Sequence, residues 1–321
     1  MGTVVALAAQ VGGSKLADGL YRLRGRDLTT IVNTGDDYEH LGLAFSPDLD
    51  TVLYTLAGMA NPVAGWEPDG EGRTVQAMLK KLGGPDRPQL GDKALATALL
   101  RTEGLANERR LTEITLDFCR RLGIQARVLP MTDDRVRTHV LTDQGTVTFH
   151  EYFATMGCEP TVRGFQYAGA DAARLSQEVL DTLHSADLEA VVICPCNPYH
   201  SIRPILEVNG MKDLIVRRGA PIIAVTPIVG GKALRGSAGK LMRELGKEPS
   251  ARAVAAEYLR FIDGFVIDEE DIPYAEAVRS LGIQVIAANT VMQRLEDRVA
   301  LAKTVLGFAH AIRQKWAVEA Q

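Results

Sequence analysis

The sequence has few cysteines, little net charge and no long apolar run. Cys119, Cys158, Cys194 and Cys196 are too few for a disulfide framework in 321 residues, and the start MGTVVALAAQ lacks the basic segment and cleavage pattern of a secretion leader. We therefore expect a cytoplasmic protein. No apolar run reaches the ~18 residues of a membrane-spanning helix, and a formal net charge of −4 offers no basic surface for nucleic acid. These absences favour a small-molecule ligand.

Short apolar runs alternate with helical patterns along the chain, which predicts an α/β fold with crossover units around a mostly parallel sheet. The candidate strands cover residues 3–8, 29–33, 189–195, 220–227, 264–268 and 283–289. Ligands of such sheets lie outside the carboxyl ends of the strands. We therefore expect the chemistry in the segments that follow these runs.

The middle of the chain has a different pattern. Residues 74–123 are predicted to be helical and to end at Gly123. The segments 126–131, 137–142 and 146–154 then alternate in the manner of short antiparallel strands. We therefore predict a main domain of residues 1–60 and 159–321, with residues 61–158 forming an inserted helical and antiparallel lobe.

Four acids, Asp36, Asp37, Asp48 and Asp50, follow the second predicted strand. Hard oxygen ligands suit Mg²⁺, which takes one or two carboxylates and completes its shell with water and phosphate oxygens. Two alternatives remain open: acids shape turns without any ligand, and in a dinucleotide fold an acid near this point binds a ribose hydroxyl. The clustering of four acids favours the magnesium site.

The first strand is followed by Gly12, Gly13, Ser14 and Lys15, ahead of a predicted helix. Backbone N–H groups and the helix N-terminus at such a place favour phosphate. The segment matches neither the dinucleotide nor the P-loop pattern, and a tight turn needs glycine for its positive φ even without a ligand. Both interpretations stay open.

A second polar segment follows the strand at 189–195. Asn197, Ser201 and Arg203 offer an amide, a hydroxyl and a guanidinium to an anionic ligand. We interpret His200, between them, as a solvated side chain.

A third segment has Gly231 and Lys232 followed by Arg235 and Lys240, where phosphate binding and a solvated basic face are about equally favoured. No Ser/His/Asp or Cys/His arrangement can be assigned. Anion-binding segments with carboxylates fit for Mg²⁺ favour transfer at phosphorus, which depends on positioning and charge neutralisation.

Five segments, at residues 33–58, 90–102, 149–153, 194–206 and 226–246, resemble the 2-phospho-L-lactate transferase family of deazaflavin coenzyme F420 biosynthesis. The resemblance implies a Rossmann-like sheet with helices on both faces, and a homodimer. It also implies a reaction in which the ribityl hydroxyl of 7,8-didemethyl-8-hydroxy-5-deazariboflavin (Fo) attacks a guanosine diphosphate ester of lactate, or of its enolpyruvyl or glyceryl counterpart, and GMP leaves.

The resemblance also implies roles for individual residues. Asp36, Asp37 and Asp50 would be catalytic and would bind Mg²⁺, while Asp50 and Lys93 would contact Fo. Gly12, Gly13, Asn197 and Ser201 would face the guanosine diphosphate. With the neighbouring residues of the same segments, the predicted nucleotide- and phosphate-binding set is Gly12, Gly13, Ser14, Lys15, Asn197, Ser201, Gly231 and Lys232.

The chain departs from the family pattern at several positions. Ala9 and Gln10 stand where a glycine pair is usual, and Ala94 and Ala98 replace an acid and a histidine. These changes point to an altered deazaflavin or acyl pocket. The choice among the three esters stays open. Asp37 and Asp50 are candidates for a general base, and metal coordination alone is the alternative way to lower the barrier.

Two other functions compete with the transferase. A nucleotide- or nucleotide-sugar-binding regulatory protein would share the fold, but that branch carries a Gly/Ser-rich run after its paired aspartates. Here Tyr38, Glu39 and His40 follow instead, which favours the enzyme. A nicotinamide-dependent dehydrogenase would require the glycine signature that the first turn lacks.

Overall fold

A computed structural model describes residues 2–217, 219–233 and 237–319. Its strands are β1 (Thr3–Ala8), β2 (Leu28–Val32), β3 (Tyr38–His40), β4 (Leu43–Phe45), β5 (Arg127–Pro130), β6 (Arg137–Thr142), β7 (Gly145–Thr148), β8 (Val162–Ala168), β9 (Leu188–Ile193), β10 (Ile222–Val225), β11 (Ile228–Val229), β12 (Lys232–Ala233), β13 (Gly264–Asp268) and β14 (Gln284–Ala288).

The helices are α1 (Gln10–Arg24), α2 (Pro47–Leu56), α3 (Thr74–Lys81), α4 (Asp92–Ala106), α5 (Leu111–Arg121), α6 (Gln177–Leu183), α7 (Arg203–Glu207), α8 (Met211–Arg217), α9 (Ala238–Glu244), α10 (Ala251–Glu257), α11 (Ala275–Arg279) and α12 (Leu295–Glu319). Turns of π-helix cover Glu151–Thr155 and Pro198–Ile202. None of the helices in the described ranges combines the length and the apolar composition needed to span a bilayer.

The predicted α/β fold is confirmed. Seven strands form a parallel sheet in the order β14-β13-β10-β9-β1-β2-β5, flanked by helices. Every residue of β2, β10 and β13 is buried, as expected for parallel strands covered on both faces. All six strands predicted for this sheet lie in it.

The order of the strands reverses between β1 and β9. From β1 the chain proceeds to β2 and β5 on one side, whereas from β9 it proceeds to β10, β13 and β14 on the other. The carboxyl ends of adjacent strands diverge in opposite directions at such a point and leave a crevice that binds ligands in sheets of this type. The crevice is bordered by the segments after β1, β2 and β9.

The segment 126–131 does not form the antiparallel strand expected from the sequence. Its strand β5 pairs in parallel with β2 at the edge of the main sheet. Val128, Leu129 and Met131 are all buried, a continuous burial that suits a parallel strand better than alternation does. Pro130 is tolerated because an edge strand has one unpaired side.

The rest of the predicted lobe contains helices α3, α4 and α5 and a small antiparallel sheet of β7, β6 and β8. Gly123 ends the third helix region with a φ of +71°, as predicted. The predicted strand 146–154 is correct only at its start, because β7 stops at Thr148 and a π-helical turn follows. The division into two domains stays a prediction, with β5 contributed to the main sheet from within residues 61–158.

The first glycine segment forms no turn. Helix α1 begins at Gln10, directly after β1, so Gly12, Gly13, Ser14 and Lys15 lie within its first two turns. A Cβ on Gly12 would stand 2.5 Å from the Pro195 carbonyl oxygen. The glycines are therefore required by the close approach of α1 to the segment after β9, and not by positive φ.

We predict that Gly12→Ala destabilises the protein by about 1–3 kcal/mol, because the added methyl group overlaps backbone that must shift. Gly307 is the matched control. It is also helical, with nothing within 4 Å of a built Cβ, so Gly307→Ala should stabilise by about 0.5–1 kcal/mol. Urea denaturation of both variants checks the pair, and equal effects would contradict the packing argument.

Candidate functional site at the carboxyl edge of the sheet

Asn33 and Asp48 connect the segments that border the crevice. The Asn33 Nδ2 donates to Asp48 Oδ2 at 2.9 Å and to the His200 carbonyl oxygen at 3.2 Å, while Asn33 Oδ1 accepts from the Gly35 N–H at 2.8 Å. Asp48 lies in the first turn of α2, and its Oδ1 accepts from the Gln10 N–H at 2.8 Å. Two buried side chains thus hold four chain segments together.

The Asp48 carboxyl lies in an unfavourable place for charge. Burial, with the like charge of Asp36 added, raises its pKa to about 8, although the bonds from Asn33 and the Gln10 N–H oppose the rise. Asp48 belongs to the acid cluster from which the sequence predicts a magnesium site, although the family resemblance implies no role for it. The structure makes it the side chain that joins the starts of α1 and α2.

Asp36 is held through one oxygen only. Its Oδ2 lies 3.1 Å from Nδ1 of His200, and its Oδ1 is buried with no hydrogen-bond partner among the described residues. The interpretation of His200 as a solvated side chain is wrong, because the residue is 1% exposed and its ring stacks on Phe149 at 4.0 Å between centroids. The sequence could not show this, since the burial comes from a residue 51 positions earlier in the chain.

Asp36, His200 and Ser201 do not form a nucleophilic triad. The Ser201 Oγ lies 3.4 Å from the same His200 nitrogen, Nδ1, that faces Asp36. A triad needs the hydroxyl on one ring nitrogen and the carboxylate on the other.

Asp37 is also held through one oxygen. Its Oδ2 accepts from the Ser46 hydroxyl at 2.7 Å, and its Oδ1 is buried without a partner in the part of the chain that the structure describes. Burial raises the pKa of Asp37 to about 7, against the opposing effects of Ser46, Arg137 and Arg101. A carboxyl with this pKa exchanges its proton near neutral pH.

Asp50 is held through both oxygens. The guanidinium of Arg101 donates to each of them, with Nη1 3.2 Å from Oδ2 and Nη2 on Oδ1. Burial raises the pKa of Asp50, and the Arg101 charge opposes that rise. The sequence does not indicate that Arg101 belongs to the site, because an arginine in a helix ordinarily lies on the surface. In the structure Arg101 is 1% exposed.

Of the three predicted anion-binding residues after β9, Asn197 and Ser201 are buried at the crevice. Arg203 is exposed, and its Nε donates to Glu207 at 2.6 Å. Asn197 begins the π-helical turn, where its Oδ1 accepts from the Tyr199 N–H at 2.9 Å. Its Nδ2 is buried and finds no partner within the described ranges. Ser201 is fully buried in the same turn. An unused amide donor and a hydroxyl therefore lie on the same turn.

The side chains of Ser14 and Lys15 bond within the protein. The Ser14 hydroxyl donates to the Val11 carbonyl at 3.0 Å, and the Lys15 Nζ donates to the Met292 carbonyl at 2.7 Å. Their phosphate-binding roles stay predictions. As the structure stands, backbone N–H groups of the first turn of α1 are the better donors, because a helix leaves its first N–H groups without intrahelical partners.

Strands β11 and β12 form a tight hairpin. Gly230 and Gly231 form its turn with positive φ, and Lys232 begins β12. The Gly230 N–H donates to Asp271 at 3.3 Å, so the hairpin is attached to the segment after β13. Arg235 lies outside the described residues. Lys240 bonds to Glu244, to the Tyr152 hydroxyl and to the Pro160 carbonyl, which favours a structural role for it.

Lys93 lies at the start of α4 and is exposed. Its Nζ donates to the Asp69 carbonyl at 2.5 Å, and the Glu71 carboxylate accepts from the N–H groups of Lys93 and Ala94. The loop 61–73 is thereby fixed to the helix that carries Arg101. Ala98, one of the departures, is fully buried beside Phe45 and Leu90.

Three aromatic rings lie beside the acids. Tyr38 stacks on Phe45 at 5.1 Å and on His150 at 3.4 Å between ring centroids. Burial, with the charges of Asp50 and Asp37 added, raises the pKa of Tyr38. Within residues 2–217, 219–233 and 237–319, no three His, Cys, Asp or Glu side chains are grouped so that they alone could hold a metal ion.

The chain is similar to known proteins along nearly its whole length. The family model described as 2-phospho-L-lactate transferase CofD matches residues 4–304. A 2-phospho-L-lactate transferase of Methanopyrus kandleri is 39% identical over 312 residues, covering 94% of this chain and 96% of the relative. A phosphoenolpyruvate transferase of Kitasatospora aureofaciens is 37% identical over 318 residues, covering 97% of this chain and 98% of the relative.

Solved structures show the same fold. The chain is similar to a member of the UPF0052 family from Bacillus halodurans, with a TM-score of 0.63 and 16% sequence identity, over 95% of this chain and 99% of that one. At this identity the likeness concerns the architecture alone.

The pKa of Asp37 predicts how stability depends on pH. In the unfolded chain the carboxyl has its ordinary pKa of 3.8, whereas in the folded protein it titrates at about 7. The folded state therefore holds a proton that the unfolded state has lost, and the free energy of unfolding falls as pH rises through this window. Asp37→Asn should show a smaller fall, measured by urea denaturation from about pH 4 to about pH 7.

Asp213→Asn is the matched control, since Asp213 is exposed on α8. It should retain the wild-type slope. Asp48 contributes a slope of the same sign, so the slope of Asp37→Asn should be reduced and not abolished. An unchanged slope in Asp37→Asn would show that its carboxyl titrates normally.

Proposed function

The chain belongs to the 2-phospho-L-lactate transferase family, and from that premise we propose that it transfers a phospho-three-carbon-acid group from its guanosine diphosphate ester to the ribityl hydroxyl of Fo, releasing GMP. The family match and the relatives support a 2-phospho-L-lactate or phosphoenolpyruvate transferase of coenzyme F420 biosynthesis. The ester, Fo and GMP are our proposal, as are a cytoplasmic location and a homodimer.

One observation carries the proposal. Asp36 and Asp37 are each anchored through one oxygen, to His200 and to Ser46, while the other oxygen is buried and unpartnered among the described residues. A carboxylate oriented by a hydrogen bond on one oxygen, with the other free, is the usual arrangement of a metal ligand. It occurs here at the crevice where the strand order reverses.

These two carboxylates fit Mg²⁺, which takes one or two carboxylates and fills its remaining positions with water and phosphate oxygens. When bound, the ion would neutralise charge on the diphosphate during transfer. The predicted third ligand, Asp50, fits less well, because both of its oxygens accept from Arg101. The positive charge of Arg101 beside Asp50 would also oppose a metal ion at this carboxylate.

The nucleotide end of the ester is proposed to lie over the start of α1 and the turn after β9. First-turn N–H groups of a helix bind phosphate without a side chain, and a Cβ on Gly12 or Gly13 would fill the space between that turn and the segment after β9. The unpartnered Asn197 amide and the Ser201 hydroxyl supply further donors. Gly231 and Lys232 are proposed to border the far side.

The Fo end is proposed to lie between Asp50 and the aromatic stack. Asp50 accepts two bonds from Arg101 and so stays fixed in direction, which suits contact with a ribityl hydroxyl. The rings of Tyr38, Phe45 and His150 form an apolar border for a flat ligand. Lys93 marks the outer end, where it fixes the loop 61–73.

Binding without transfer is the second candidate function. The observation in its favour is the closed Arg101–Asp50 pair, together with the apolar Ala98 at a position where the family pattern has a histidine. A regulatory protein of this fold would bind the nucleotide ester and leave Fo unchanged.

The test is a mass-spectrometric assay of the purified protein with Fo and Mg²⁺, adding the lactyl, enolpyruvyl and glyceryl esters in separate reactions. We expect GMP and a deazaflavin phosphodiester in at least one reaction, and EDTA should abolish both products. Nucleotide binding without product in any reaction would favour the regulatory function instead.

The variant Asp50→Asn tests whether the Asp50 carboxylate takes part in the transfer. An amide keeps one acceptor for Arg101 but removes the charge, so we expect turnover to fall by roughly 100-fold or more, the usual cost of losing a group needed in the transition state. Asp213→Asn should retain wild-type turnover. Thermal unfolding establishes that the variants are folded, and a folded Asp50→Asn enzyme with wild-type turnover would remove Asp50 from the mechanism.

A further inference from the structure

We propose that His200 is a positioning residue that orients the Asp36 carboxylate toward the metal. The proposal rests on the proposed function, because it assumes that Asp36 is a ligand of Mg²⁺. It concerns a side chain to which neither the family resemblance nor the sequence pattern gave a role.

His200 is held through its ring and through its carbonyl oxygen. Its ring is 1% exposed and stacks on Phe149, with an angle of 17° between the planes. Its carbonyl oxygen accepts from the Asn33 amide at 3.2 Å, so the backbone is attached to the same side chain that holds Asp48. Because the backbone is anchored and the ring is stacked, Nδ1 faces Asp36 in a fixed direction.

The hydrogen-bond partners of Nδ1 assign its proton. As a metal ligand Asp36 would be ionised and could only accept, so its Oδ2, 3.1 Å from Nδ1, would require the proton on Nδ1. The tautomer is inferred in this way from its network. The Ser201 hydroxyl, 3.4 Å from the same nitrogen, then has no acceptor there and keeps its proton for another partner.

The bond to Oδ2 decides what Oδ1 can do. A carboxylate that rotates freely presents either oxygen, whereas one oxygen fixed by a ring N–H leaves the other pointing in a set direction. Asp36 Oδ1 is the buried oxygen for which the described residues supply no partner. Hydrogen bonds of this kind to metal ligands are worth about 10–100-fold in metal affinity or activity.

Packing alone is the competing explanation for His200. The ring fills space against Phe149, and a buried ring contributes to stability whatever its nitrogens do. The two roles respond differently to substitution. Asparagine keeps an N–H group close to the position of Nδ1 but loses the ring, whereas phenylalanine keeps the ring and loses the N–H group.

The experiment compares His200→Asn with His200→Phe. Binding of Mn²⁺, which substitutes for Mg²⁺ and is observed by the loss of the free-ion electron paramagnetic resonance signal, is measured without Fo or ester. We expect His200→Phe to weaken Mn²⁺ binding by about 10-fold or more and His200→Asn to restore most of the affinity. The kcat for transfer should follow the same order, with the KM for Fo little changed.

His184, exposed at the end of α6, provides the matched controls His184→Asn and His184→Phe, which should bind Mn²⁺ like the wild type. Thermal unfolding of each variant separates folding from metal binding. If His200→Phe does not fold, His200→Leu takes its place with the same expectation. Wild-type Mn²⁺ affinity in the ring or leucine variant, or an equal loss in His200→Asn, would overturn the proposal, as would a wild-type protein that does not bind Mn²⁺.

The assay also distinguishes this proposal from the proposed function. Product formation by the wild type with unchanged Mn²⁺ affinity across the folded His200 variants would refute the positioning role alone. The expected order of Mn²⁺ affinities without any product from Fo would support the positioning role and refute the transferase alone.

Discussion

The hydrogen bond between Asn33 and Asp48 is the contact on which the rest of the site depends. Through it one amide and one carboxyl join the start of α1, the turn after β2, the start of α2 and the turn after β9. The side chains of Asn33 and Asp48 are buried, and a buried polar group left without its partner costs roughly 1–3 kcal/mol. The loss of either side chain would therefore release several segments at once. The parallel sheet brings these segments to one edge, but this pair sets their spacing.

Charge is distributed unevenly around that pair. Arg101 is committed to Asp50, so Asp36, Asp37 and Asp48 share a buried region in which no guanidinium or ammonium group of the described chain contacts them. Burial raises the pKa of Asp37 and Asp48 toward neutrality. Perturbed carboxyls of this kind are concentrated at functional sites, where stability is lower than packing would allow. A bound cation would favour the ionised forms and so recover part of that stability.

The sequence predicts those features that depend on local pattern, and misses those that depend on distant partners. Apolar runs located all six expected strands of the parallel sheet, and turn residues located the acids after β2. The sequence could not show that Arg101 is buried against Asp50, or that His200 is buried against Phe149, because each partner lies about 50 positions away. The sequence also predicted a turn at Gly12 and Gly13, whereas both glycines lie within helix α1. What Gly12 avoids is the Pro195 carbonyl, a contact far away in sequence.

The departure at Gln10 illustrates how one substitution is accommodated by the network. Gln10 has a φ of +51°, a conformation that costs a residue with a Cβ about 1–2 kcal/mol and glycine almost nothing. The N–H group of this residue is the one that Asp48 accepts. A hydrogen bond to a carboxyl contributes about 0.5–1.5 kcal/mol when the acceptor is neutral and about 1.5–3 kcal/mol when it is ionised, so the bond offsets much of the strain in either state. Because the same carboxyl also holds Asn33, the backbone at the start of α1 is coupled to the acids after β2. The strain at Gln10 is therefore offset by the same carboxyl that connects the segments of the site.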